Sequence, residues 1–108
     1  MLRVAAVLIS VVDQDILGEQ GHRVRQVGPV EVWSRRLSRG RLAVGLFNRG
    51  EASANVETTW AELGISGIHQ VRDLWKRANV GRFASTYATE VPAHGVALLV
   101  LARRSESQ

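Results

Sequence analysis

From Gly21 onward the chain is a procession of short runs rich in Val, Leu, Trp and Thr, broken by Gly, Asn, Ser or Pro at intervals of about ten residues. No stretch beyond Gly21 sustains a helical period, so these runs must bury their apolar sides as strands. The spacing describes an all-β sandwich or barrel, of which an antiparallel Greek-key β-sandwich of about eight strands in two sheets is the expected form. The 108 residues leave room for one such core. They are too few for a barrel enzyme, which needs roughly 250 residues.

The local patterns give the strands their faces. Val30, Val32 and Ser34 alternate with Glu31, Trp33 and Arg35, so the first set should point inward and the second toward the polar side. Ser38-Arg39-Gly40 offers a tight turn, and Leu42, Val44 and Leu46 resume the inward face of a partner strand ending at Asn48-Arg49-Gly50. Ala54, Val56, Thr58 and Trp60 share one side of the next run, and Ala61 to Gly64 can form a single helical turn. Ile68 to Trp75 reads as a strand, and residues 80–91 as two short strands anchored by Phe83 and Tyr87. After the turn Pro92-Ala93-His94-Gly95, Val96 to Leu101 is apolar on both faces, which suits the middle of a sheet.

Residues 4–12 are apolar and have the length of a signal-peptide core, but are too short to span a bilayer. Their length and composition fit a helix as well as a buried strand. Neither a cytoplasmic nor a secreted location is favoured. The chain has no cysteine, which excludes disulfides and sulfur-ligated zinc. The formal charge is +4, and Lys76 is the single lysine among 14 basic side chains. His22, His69 and His94 lack metal-ligand spacing, and neither a phosphate loop nor a Gly-x-Ser-x-Gly elbow is present. No metal or cofactor is expected. His94 is expected to make a structural hydrogen bond to backbone in its turn.

Five segments carry a family likeness. Val12-Asp13-Gln14-Asp15-Ile16-Leu17-Gly18-Glu19-Gln20-Gly21 resembles the segment joining barrel to sandwich in α-galactosidases of glycoside hydrolase family 27, the melibiase group. Val30-Glu31-Val32-Trp33, Leu46-Phe47-Asn48-Arg49-Gly50, Val71-Arg72-Asp73-Leu74-Trp75 and Val91-Pro92-Ala93-His94-Gly95-Val96 resemble its later strands and turns, in order. One departure is Ile16, where the group usually has proline, which would fix φ and stiffen the linker. The resemblance implies a non-catalytic C-terminal accessory domain, packing against and stabilising a catalytic barrel. In that group the nucleophile and acid/base aspartates lie on barrel strands that have no counterpart here, so no catalytic residue is expected. It also implies the organisation: residues 1–21 as barrel end and linker, 22–102 as the sandwich, and 103–108 as a disordered tail.

Retaining glycoside hydrolysis needs two carboxyl groups about 5–5.5 Å apart across a sugar. Asp13 and Asp15 come near that spacing on an extended segment, at about 6.5 Å between Cα atoms. The resemblance nevertheless puts them in the linker. Arg35, Arg36, Arg39 and Arg41 cluster at the first hairpin tip and could track phosphates. A solvated tip is the better reading, because nucleic-acid modules add exposed aromatics for stacking. Trp33, Arg35 and Trp75 are the candidate contacts for a partner or a sugar, with Trp33 the ring expected to be most exposed. The expected partners are the barrel and, through a bare sheet face, a second copy. Neither nucleic acid nor membrane is expected. The alternative function is a carbohydrate-binding module that stacks a sugar on an exposed Trp.

Overall fold

The structure is a computed structural model, and it describes residues 21–103. Eight strands run β1 (His22–Val27), β2 (Val30–Arg36), β3 (Leu42–Asn48), β4 (Ala54–Thr59), β5 (His69–Asp73), β6 (Ala78–Phe83), β7 (Thr86–Val91) and β8 (Gly95–Arg103). A one-turn helix, α1 (Trp60–Leu63), sits between β4 and β5. All pairings are antiparallel. One sheet has six strands in the order β1-β2-β3-β8-β5-β6, and the other pairs β4 with β7. After β5 and β6 the chain crosses to the smaller sheet, where β7 pairs with β4, and β8 then returns to the larger sheet between β3 and β5.

The core lies between the two sheets. Val32, Leu42, Val44 and Leu46 from β2 and β3 meet Val56, Tyr87 and Val91 from the smaller sheet, with Val71, Leu99 and Leu101 filling the rest. The inward sets expected on β2 and β3 are thus borne out. The apolar run near the C-terminus is flanked on both sides, by β3 and β5, and Leu98, Leu99 and Leu101 are essentially inaccessible. Phe83 and Tyr87 meet edge-to-face with ring centroids 5.0 Å apart.

Four elements differ from expectation. Strand β4 stops at Thr59 rather than continuing through Trp60, because Thr59 and Glu62 form a capping box. The Thr59 hydroxyl accepts from the Glu62 N–H at 3.2 Å, and the Glu62 carboxylate accepts from the Thr59 N–H at 3.1 Å. Gly64 then closes the turn at φ 75°, where an L side chain is strained. Strand β5 ends at Asp73 rather than Trp75, since the Asp73 carboxylate accepts from the Lys76 N–H at 3.0 Å and turns the chain into the hairpin with β6. Ile68 and Trp75, expected inside that strand, lie outside it and are exposed. Arg103 belongs to β8, whereas the rest of the expected tail, residues 104–108, lies outside the described residues. Strand β1 carried no strand signal in the sequence. It is an edge strand, and its His-Arg-Val-Arg-Gln-Val run is half solvated with a bulge between Arg23 and Arg25.

Candidate functional site

The period-two geometry of a strand puts every second side chain of the six-stranded sheet on the face away from the core. The ladder register sorts that outer face into rows. One row runs Arg23, Trp33, Gly45, Leu98 across β1, β2, β3 and β8, and Leu74 joins it by donating its N–H to the Leu98 carbonyl at 2.9 Å. The next runs Arg35, Ala43, Val100, Arg72. On the other side lie Gln26, Glu31, Phe47 and Val96. Ala43 and Leu98 form a small buried cluster with half-buried Trp33, Leu37, Leu74 and Val96 packed on it. The wide sheet therefore carries apolar side chains on both faces, although only one faces the core.

A buried carboxylate anchors this face. Glu31 is 6% exposed and accepts the Trp33 indole N–H at 2.8 Å and the Arg49 Nε–H at 3.0 Å, with Arg23 at 4.0 Å. The Trp33 hydrogen bond holds the Glu31 carboxyl below the usual glutamate range; burial pushes the other way, and Arg49 and Arg23 reinforce the lowering. Arg49 also lies over the Phe47 ring, 5.3 Å from its centroid. Phe47 leans across Gly45, where a Cβ would stand 2.7 Å from the ring. Asn48 fixes the loop that carries Arg49. It is buried, donates to the Ala52 and Val91 carbonyls at 2.8 and 3.0 Å, and accepts from the Gly50 N–H at 2.9 Å.

A second polar cluster ties the two sheets together. Arg25 of β1 donates to Glu62 at 2.8 Å and to the Glu57 carbonyl, and Thr58 donates to Glu62 at 2.7 Å. Burial raises the Glu62 pKa, but hydrogen bonds from Arg25, Thr58 and the Thr59 backbone outweigh it, so the group titrates below its ordinary range. An open groove runs beside this cluster between β1 and β4, lined by Arg25, Val27, Val30, Asn55, Glu57 and Glu62 among others. Its two carboxylates are engaged, Glu62 as described and Glu57 by the Thr86 hydroxyl at 2.7 Å.

Of the residues singled out from sequence, Trp33 and Arg35 sit two apart on the outer face of β2, both half-buried. Trp75 lies in the β5–β6 hairpin loop next to Leu74, and β2 and β5 are three ladder steps apart, about 14 Å. The expectation that Trp33 is the most exposed indole is corrected: Trp75 is 48% exposed, and Trp33 is packed against the Ala43–Leu98 cluster with its N–H committed to Glu31. Trp60 is core. Arg36, Arg39 and Arg41 are exposed around the β2–β3 turn, where Arg41 donates to Ser38 and Arg39 adopts φ 64°. His94 makes the expected structural hydrogen bond to backbone through its own N–H, which donates to the Gly50 carbonyl at 3.2 Å, while its ring faces the Glu51 carboxylate at 3.4 Å. Asp13 and Asp15 lie outside the described residues. Sequence reasoning missed the Glu31–Arg49 pair. Its signal was the hairpin register, which sets Val30 opposite Asn48 and so brings Arg49 beside Glu31.

These features define a class: a small sandwich of two unequal sheets, stapled across by Arg25 and Glu62, whose wider sheet keeps a second apolar surface outside the core. Residues 27–101 match the family described as the alpha-galactosidase C-terminal β-sandwich domain, and the chain belongs to that family. It is 41% identical over 98 residues to Alpha-galactosidase 2 of Arabidopsis thaliana, covering 89% of this chain and 25% of that protein. The crystal structure of α-galactosidase I from Mortierella vinacea superimposes with a TM-score of 0.73 at 31% identity, over 79% of this chain and 24% of that one. A family 27 β-L-arabinopyranosidase from Geobacillus stearothermophilus, in complex with arabinose, gives a TM-score of 0.75 at 25% identity, over 79% of this chain and 20% of that one. The chain thus spans about a quarter of the length of the relatives it matches.

Proposed function

We propose that this chain is the non-catalytic C-terminal accessory domain of an α-galactosidase-type retaining glycoside hydrolase. Its sandwich, residues 22–102, stabilises the catalytic barrel by packing the outer face of the six-stranded sheet against it. The observation that carries the reading is that this face keeps an apolar cluster of its own around Ala43 and Leu98, on the side away from the core. A sheet with one exposed face normally alternates to polar there, and an apolar surface on both sides suits a partner on both sides. Trp33 and Arg35 lie on this surface, and Trp75 borders it beside Leu74. The sugar-stacking alternative loses Trp33, which is packed with its indole N–H committed to Glu31, and would have to rest on Trp75 alone. The relatives also support a structural role, since similar domains occur in enzymes named for different sugars.

The test is an exchange. The Arabidopsis enzyme is cut back to its barrel, and its C-terminal quarter is either left off or replaced by this chain. The grafted enzyme should regain heat resistance and yield lost on truncation, while the purified 108-residue chain releases no leaving group from a chromogenic α-galactoside. A graft as labile as the truncated enzyme, or turnover by the isolated chain, contradicts the proposal.

A further inference from the structure

Charge is segregated between the two sides of the sandwich. The described acidic residues are Glu31, Glu51, Glu57, Glu62, Asp73 and Glu90. Glu57 and Glu90 are exposed on the outside of the two-stranded sheet, Glu62 lies between the sheets, Asp73 is buried, and Glu51 is in the β3–β4 connection. On the outer face of the six-stranded sheet Glu31 stands alone among the described residues, and its charge is consumed by Trp33, Arg49 and Arg23. That same face carries Arg23 and Arg35 toward one edge, and Arg72 and Arg82 toward the other. Arg72 and Arg82 are both exposed. The apolar centre formed by Ala43, Leu98, Val96 and Trp33 thus has a basic rim.

Resting on the reading of this face as the barrel-docking surface, we propose that the barrel surface opposite it has an apolar centre bordered by carboxylates that meet Arg72 and Arg82. The charge pattern favours that occupant over a second copy of the chain. A two-fold dimer through this face would set a basic rim against itself, and like charges across an interface oppose docking. Nucleic acid is the less favoured polyanion because the rings on this face, Trp33 and Phe47, are packed into the surface, which leaves Trp75 at its border as a single exposed ring for stacking.

The experiment uses the grafted enzyme of the previous section, with Arg72→Glu/Arg82→Glu and Arg72→Lys/Arg82→Lys, together with the same substitutions in the isolated chain. Both doubles should leave the melting temperature of the isolated chain unchanged, since both side chains are exposed. In the graft, the glutamate double should melt about 2–4 °C lower, with the lysine double close to the parent. Raising salt from about 50 to about 500 mM should erase most of that difference by screening. A graft that the parent chain fails to stabilise sinks the docking reading and this inference together. A stable graft indifferent to the charge reversal sinks this inference alone. So does a parent chain that sediments as a dimer, or one that binds duplex DNA through Arg72 and Arg82.

Discussion

Trp33 donates its indole N–H to the carboxylate of Glu31, two residues earlier on the same face of β2, at 2.8 Å. The bond removes the ring's polar atom from the surface and supplies part of what a buried glutamate needs in order to stay charged. Arg49, delivered from the end of β3, supplies the rest at 3.0 Å.

Glu31→Gln should therefore destabilise the chain by about 1.5–3 kcal/mol at neutral pH, the range for hydrogen bonds to a charged group. The effect should depend on pH with a defined sign. The folded-state pKa of Glu31 is depressed, so its contribution is fully present above the ordinary glutamate value of about 4.3 and fades as pH falls through the lower folded value. Urea unfolding of both proteins at neutral and acid pH checks this, with curves that separate at pH 7 and converge in acid.

Asn48→Ala should cost about 2–3 kcal/mol, because it strands the Ala52 and Val91 carbonyls in a buried site and frees the Gly50 N–H. The loop would also lose its hold on Arg49, so thermal melting of the Asn48→Ala/Glu31→Gln double variant should fall short of the sum of the two single losses.

The three tryptophans should separate by burial. Trp60→Ala removes a core ring that also donates to the Gly67 carbonyl at 2.9 Å, and should cost about 3–5 kcal/mol. Trp75→Ala, at 48% exposure, should stay within about 0.5 kcal/mol of the parent in the isolated chain. Chemical denaturation of each variant distinguishes the two cases.

Gly45→Ala tests the outer face without touching the core. The new methyl would stand 2.7 Å from the Phe47 ring, so the ring must move from beneath Arg49 at a cost of about 1–3 kcal/mol. Denaturation midpoints that match the parent would show that the ring has room to yield.

Much of this architecture was legible because it rests on local pattern. The alternation through Val30 to Arg35 and Leu42 to Leu46 fixed the first hairpin and its faces, and the apolar run after Gly95 marked the strand with neighbours on both sides. The helical turn at Ala61 to Gly64 was read as well, but not the Thr59–Glu62 capping box that starts it at Trp60. What escaped depends on distant residues. Strand β1 is an edge whose polar side chains break any period, and it is a strand because β2 offers a ladder. Glu31 reads as a solvated position until Arg49, 18 residues away, is folded over it. Trp33 was placed on the correct face, but its exposure was overestimated, because that face packs in its own right against Ala43 and Leu98.

The most direct test of the account is hydroxyl-radical footprinting of Trp33, comparing the isolated chain with the same chain grafted onto the barrel. Barrel packing against the outer face predicts a several-fold slower oxidation of Trp33 in the graft, with Val27 on the β1–β4 groove unchanged. Equal Trp33 oxidation in both proteins, with protection appearing on the two-stranded side instead, would contradict it.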